Sequence, residues 1–186
     1  MPHNALKRLH KGIDIEKKIV TATHDFQDKL FDAETVVRHM KERFGDGLGE
    51  FYERLLHELE MLREIIQFTP VNGRLTVVLK DKDVKVMFRN ESNYDKRGQW
   101  VSKKIIEDVE AEHALVMIVR EHFQNMKRLY EEGNDLFGRK GEEIIGPKEL
   151  GREKKNFEKF MKGVLKFILA YEKVFEKAER ELKKLA

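Results

Sequence analysis

Ile15, Ile19, Ala22, Phe26, Leu30, Ala33, Val37, Met40 and Phe44 follow one another at steps of three or four without a miss. That spacing draws one apolar stripe on an α-helix of about eight turns. A stripe this long must be covered by other apolar faces, so it commits the chain to helix-on-helix packing. A shorter piece, Leu6, Leu9 and Ile13, precedes it as a turn or two of helix, with Gly12 as the break. Gly45 follows Phe44 as a C-terminal stop, and Gly45-Asp46-Gly47-Leu48-Gly49 reads as a turn.

A second stripe, Leu48, Tyr52, Leu55, Leu59, Leu62 and Ile66, predicts a helix from about Gly49 to Phe68. Thr69-Pro70 ends it, because the residue before proline is pushed out of the α region. The short link makes the first two helices antiparallel neighbours. The period then changes to two. Leu75, Val77 and Leu79 share one face, Val84, Val86 and Phe88 share another, and Asp81-Lys82-Asp83 lies between them. This pattern predicts a β-hairpin over about 73–90. Lys80, Lys82, Lys85 and Arg89 look like guards of its edges.

A polar loop over 90–100 carries Tyr94 and Trp100. A central helix follows from about Val101 to Glu132, with Gly133 as its stop. Its residues 114–119, ALVMIV, are apolar on every side, which predicts burial on every side. Residues 133–146 hold four glycines and read as a loop. Gly146-Pro147-Lys148-Glu149 reads as a helix start, with proline at the first helical position. Leu150, Phe157, Met161, Val164, Ile168, Tyr171, Phe175, Ala178, Leu182 and Leu185 then form a heptad-like seam to the C-terminus. Phe160, Gly163, Phe167 and Val174 widen it. Glycine inside a helix costs about 1 kcal/mol relative to alanine, so Gly163 is expected to mark a close crossing with another element. The expected fold class is mainly α: a single four-helix bundle-like domain over 1–186, with a β-hairpin inserted between helices 2 and 3.

Composition narrows the function classes. The 186 residues suffice for one sizeable core. Cysteine is absent, which removes disulfides and thiolate metal sites. Charged residues make up 38%, mostly Lys and Glu, a balance expected of a thermophilic cell. The N-terminus lacks the apolar core of a signal peptide, and no segment is apolar for long enough to span a bilayer. The expectation is a cytoplasmic protein that does not enter a membrane. Net charge is only +3, and the positive excess lies in 71–100 and 134–186.

Three constellations carry candidate chemistry. Glu110 and His113, three apart on one helix face, form a Glu-x-x-His pair of the kind that binds metal in carboxylate-bridged bundles. The bland alternative is a histidine at the core edge, hydrogen-bonded to a carboxylate. His57 and His24 fall about 200° from their own stripes, so they point away from the core and supply no second motif. Secondly, Lys155, Lys159, Lys162 and Lys166 begin a basic stripe continued by Lys173, Lys177, Arg180 and Lys184. Such a row can follow a nucleic-acid backbone. Arg97 and Trp100 add a cation and a ring suited to stacking. Against this stand three Glu-before-base pairs at i,i+4, Glu158–Lys162, Glu176–Arg180 and Glu179–Lys183, which would make the stripe a solvated face. Thirdly, the heptad-like seam can be satisfied inside the bundle or by a second chain. No serine or cysteine nucleophile stands near a histidine, and Gly138-Arg139-Lys140-Gly141 lacks the spacing of a phosphate loop.

The expected function is a non-enzymatic interaction or oligomerisation module, without a cofactor, working through its last helix and hairpin on a protein partner or a second copy. Nucleic-acid backbone binding through the lysines is the alternative, and a metal-binding bundle at Glu110 and His113 the second alternative.

Overall fold

The computed structural model describes residues 2–68 and 94–186. They form four helices: α1 (Pro2–Arg43), α2 (Gly45–Phe68), α3 (Tyr94–Ile145) and α4 (Pro147–Leu185). The expected fold class is corrected on one point. Among the described residues there is no strand, and the mainly-α bundle stands without a sheet. The β-hairpin expected at about 73–90 lies outside the described residues. Two short alternating runs are a weak signal, because a lone hairpin is marginal in water and must find cover.

The chain divides into two compact units, and α1, α3 and α4 each contribute to both. One unit comprises residues 24–68 and 118–171. Ion pairs Arg38–Glu60 (3.2 Å) and Arg63–Glu34 (3.0 Å) run between α1 and α2 with opposite sequence sense. Arg54–Glu132 and Glu58–His122 do the same between α2 and α3. A turn of one residue, Gly146, reverses the chain between α3 and α4. Arg43–Glu153 (2.9 Å) and the stacked rings of Phe26 and Tyr171 make α4 antiparallel to α1. The unit is therefore an up-down-up-down bundle. Its core includes Phe26, Leu30, Val37, Leu55, Leu59, Phe137, Phe157, Met161 and Ile168, all buried.

The other unit takes in residues 1–23, 69–117 and 172–186. Its described core joins Leu9, Ile13 and Ile19 of α1 to Val101, Ile105 and Val116 of α3 and to Phe175, Ala178 and Leu182 of α4. Arg8 ties the three helices together: its guanidinium donates to Ser102 Oγ (3.0 Å), to the Leu185 carbonyl (3.1 Å) and to the Gly98 carbonyl (3.5 Å). Four carboxylates, Glu16, Asp108, Glu112 and Glu172, are buried here.

Several boundaries differ from expectation. Helix α1 has no break at Gly12, because buried Ala5, Leu9 and Ile13 lead straight into the long stripe. Helix α3 starts at Tyr94 and runs through Gly133, Gly138 and Gly141 to Ile145, replacing the expected loop over 133–146. A β-carbon at Gly133 would run into the rings of Phe157 and Phe51, and one at Gly141 into Leu150. These glycines are core positions, trimmed so that neighbouring helices approach closely. The stop falls at Gly146, whose φ of 87° lies in the left-handed region that favours glycine. The 114–119 run is not buried all round: Leu115, Val116 and Val119 face the core, while Met117 is 52% exposed. None of the described helices is long and apolar enough to cross a membrane.

Candidate interaction surface

The seam of α4 is satisfied inside the fold. Phe157, Met161, Val164, Ile168, Tyr171, Phe175, Ala178 and Leu182 are all buried, so it needs no second chain. What α4 offers outward is the adjacent face. In the four-helix unit, α1 and α4 leave an open groove of about 760 Å³. Val36 and Met40 of α1 line one side and Phe160, Gly163 and Phe167 of α4 the other. The groove lies along residues 29–40 of α1, about 16 Å of helix.

Among the described residues, none makes the expected close crossing at Gly163. A β-carbon there would meet nothing within 4 Å. Phe160, Gly163, Phe167 and Ala170 alternate large and small along the groove wall.

Lys159 and Lys166 stand on the α4 bank, within the groove lining. At about 100° per residue, Lys155 and Lys162 lie one step farther round the same side. All four are exposed. Lys162 is neutralised by Glu158 at 2.9 Å, and that contact holds the Glu158 carboxyl below its usual range and the Lys162 ammonium above its own. No carboxylate among the described residues pairs with Lys155, Lys159 or Lys166. Farther along α4, Lys183 pairs with Glu179 (3.1 Å), as the i,i+4 spacing predicts, and Lys177 takes Glu181 (3.9 Å). On the α1 bank, Asp25 pairs with Lys29 (3.0 Å), and Asp28 and Asp32 have no ion-pair partner among the described residues.

The other candidates are placed apart from this surface. Arg97 and Trp100 lie on the first turns of α3, in the three-helix unit, and Trp100 is half-buried; the side chain of Arg97 lies outside the described set. Glu110 is exposed, and His113 turns to Glu179 of α4, with Nδ1 at 3.1 Å from Oε1. The pair is not brought together. Among the described residues, no group of three or more His, Asp or Glu side chains is arranged to hold a metal ion.

One polar cluster escaped the sequence reading. His122, 5% exposed, sets Nδ1 2.6 Å from Glu58 Oε1, and Asn125 Nδ2 donates to the same oxygen at 3.1 Å. These hydrogen bonds, that from His122 first, hold the Glu58 carboxyl below its ordinary range against the opposing effect of burial. The available signal was the stripe itself: His122 follows Leu115 and Val119 at steps of four and three, and precedes Met126 by four. No family model, curated protein or solved structure matches this chain.

Proposed function

We propose that the chain is a non-enzymatic interaction module that works through the α1–α4 groove and its lysine bank. The observation that carries this reading is a groove of about 760 Å³ with an apolar wall, open along residues 29–40 of α1 in the four-helix unit, and edged by Lys159 and Lys166, which no carboxylate among the described residues neutralises. Exposed contiguous apolar surface rimmed by polar groups marks a site of association. The last helix therefore stays the contact element, through the face beside its seam, and the expected hairpin surface has no part in the reading. A thermophilic, cytoplasmic setting belongs to the same proposal. Inter-helix ion pairs at Arg38–Glu60, Lys41–Glu53, Arg54–Glu132 and Arg63–Glu34 support it.

The test places a photo-crosslinking phenylalanine at Phe160 of the full chain in living cells, with Glu42 on α1 as a control site. Irradiation is expected to join Phe160, and not Glu42, to a protein. A chain that crosslinks to nothing from Phe160 ends the interaction reading.

Nucleic-acid backbone binding is the second reading, supported by the absence, among the described residues, of a carboxylate paired with Lys155, Lys159 or Lys166. A shift assay with duplex DNA and with RNA at about 50 and 200 mM salt tests it. Three phosphate contacts predict a fall in affinity of roughly 40-fold across that range for duplex DNA, and absence of binding at the lower salt removes the reading.

A further inference from the structure

We propose that the occupant of the α1–α4 groove is a second copy of this chain, docked about a two-fold axis that runs parallel to the helices. The inference rests on the interaction reading above and names the partner. Its warrant is the distribution of charge on the two banks. The α4 bank carries Lys155, Lys159, Lys162 and Lys166, with Glu158 offsetting one of them. The α1 bank carries Asp25, Asp28 and Asp32, with Lys29 offsetting one. One side of the groove is therefore cationic, the other anionic, and the surface is complementary to itself.

The direction of the axis follows. An axis lying across the helices would bring lysine bank to lysine bank and aspartate bank to aspartate bank. An axis along them sets α4 of each copy over α1 of the other, cations against carboxylates. The levels match as well. Arg43 meets Glu153 and Phe26 stacks on Tyr171. Interpolating between those contacts sets Asp32 level with about residue 165, between Lys162 and Lys166, and Asp28 with about residue 169, just beyond Lys166. An isologous contact of this kind uses each bank twice and closes at two copies.

The groove wall has a suitable relief. Phe160 and Phe167 alternate with Gly163 and Ala170 on α4, and Ala33 lies below Val36 and Met40 on α1. Such an axis keeps each residue at its own level, so Phe160 of one copy lies over Val36 of the other, and Gly163 lies over Ala33, where two small residues allow the closest approach. Val36 is 38% exposed and would be covered. The polar groups run in two lines along the helices instead of converging on one point, unlike the arrangement that orients a small ligand.

The experiment is sedimentation equilibrium of the full chain, with native mass spectrometry for mixtures. The expected wild-type mass is twice the 22.1 kDa of one chain. Gly163→Leu fills the groove from a position where a β-carbon meets nothing within 4 Å, and is expected to give a folded monomer. Lys159→Asp/Lys166→Asp is expected to be monomeric, and so is Asp28→Lys/Asp32→Lys. Mixing these two variants is expected to give a mixed dimer, and all four substitutions in one chain are expected to restore the homodimer. Circular dichroism verifies that each variant is folded. Should a multiple variant not fold, Gly163→Leu alone decides. A wild-type chain monomeric at 200 µM overturns the proposal, and so does a dimer that Gly163→Leu and both folded charge variants leave intact. A monomer that still crosslinks from Phe160 to another protein overturns self-association and leaves the interaction reading in place.

Discussion

His122 of α3 and Glu58 of α2 form a contact of 2.6 Å inside the four-helix unit, with His122 almost wholly out of water. A buried imidazole must find a partner, and a carboxylate accepting from both His122 and Asn125 is fixed in place. Removing one member leaves the other desolvated and unmatched. His122→Leu is expected to lower stability by about 1–3 kcal/mol, read as a shift of the urea midpoint at constant slope. A midpoint unchanged within error would mean that Glu58 turns to water at no cost.

The same contact has a pH signature. Glu58 is held below its ordinary carboxyl range in the folded chain, so its contribution is present above the unfolded value of about 4.3. It is lost as pH falls through the depressed folded value. The difference in melting temperature between wild type and Glu58→Gln is expected to be largest near neutral pH and to shrink progressively below about pH 4. A difference that stays constant down to pH 2 would show that the carboxylate charge plays no part.

Gly133 and Gly163 make opposite predictions from one residue type. A β-carbon at Gly133 collides with Phe157 and Phe51, both buried in the aromatic cluster of the four-helix unit. Gly133→Ala therefore overpacks a filled core and is expected to cost about 1–3 kcal/mol despite alanine's better helix propensity. Gly163→Ala meets nothing and is expected to stabilise the monomer by about 0.5–1 kcal/mol. Chemical denaturation of the two variants side by side checks the signs, and equal signs would contradict the packing described for one of them.

These glycines also show where sequence reasoning reached and where it failed. The long stripes of α1, α2 and α4 were legible because large apolar residues mark every turn, and Pro147 with Glu149 marked the start of α4 within one residue. In α3 the stripe continues from Met126 through Tyr130, Gly133 and Phe137 to Gly141 at steps of three or four. Two of its members have no side chain, so the pattern looked broken and four glycines looked like a loop. Periodicity counts carbon, and a helix trimmed for close approach withholds it. The charge of the α4 bank was readable from spacing, including the Glu158–Lys162 and Glu179–Lys183 pairs. The groove beside it was not, because it depends on how far α1 and α4 diverge, and no residue type encodes that separation locally. Nor did the sequence reading find the Glu58–His122 contact, since a histidine on an apolar face reports burial without naming the partner that burial requires.

Arg8 supplies the last prediction, in the three-helix unit. Its side chain bridges the first turns of α3, at Ser102 Oγ and the Gly98 carbonyl, to the Leu185 carbonyl at the end of α4. The last carbonyls of a helix have no partner within it, so this guanidinium acts as a cap delivered from another helix and as a favourable charge at the negative end of the α4 dipole. Arg8→Met keeps an unbranched apolar stem and removes the guanidinium with its five donors. It is expected to cost about 1–2 kcal/mol, in the range for hydrogen bonds from a charged donor. The loss should be local: hydrogen exchange is expected to speed up for the amides after Leu182 and for the first turns of α3, while the amides around Leu59 and Ile168 in the four-helix unit keep their wild-type rates. Acceleration spread evenly over both units would mean that Arg8 supports the whole fold and not the joint between these helix ends.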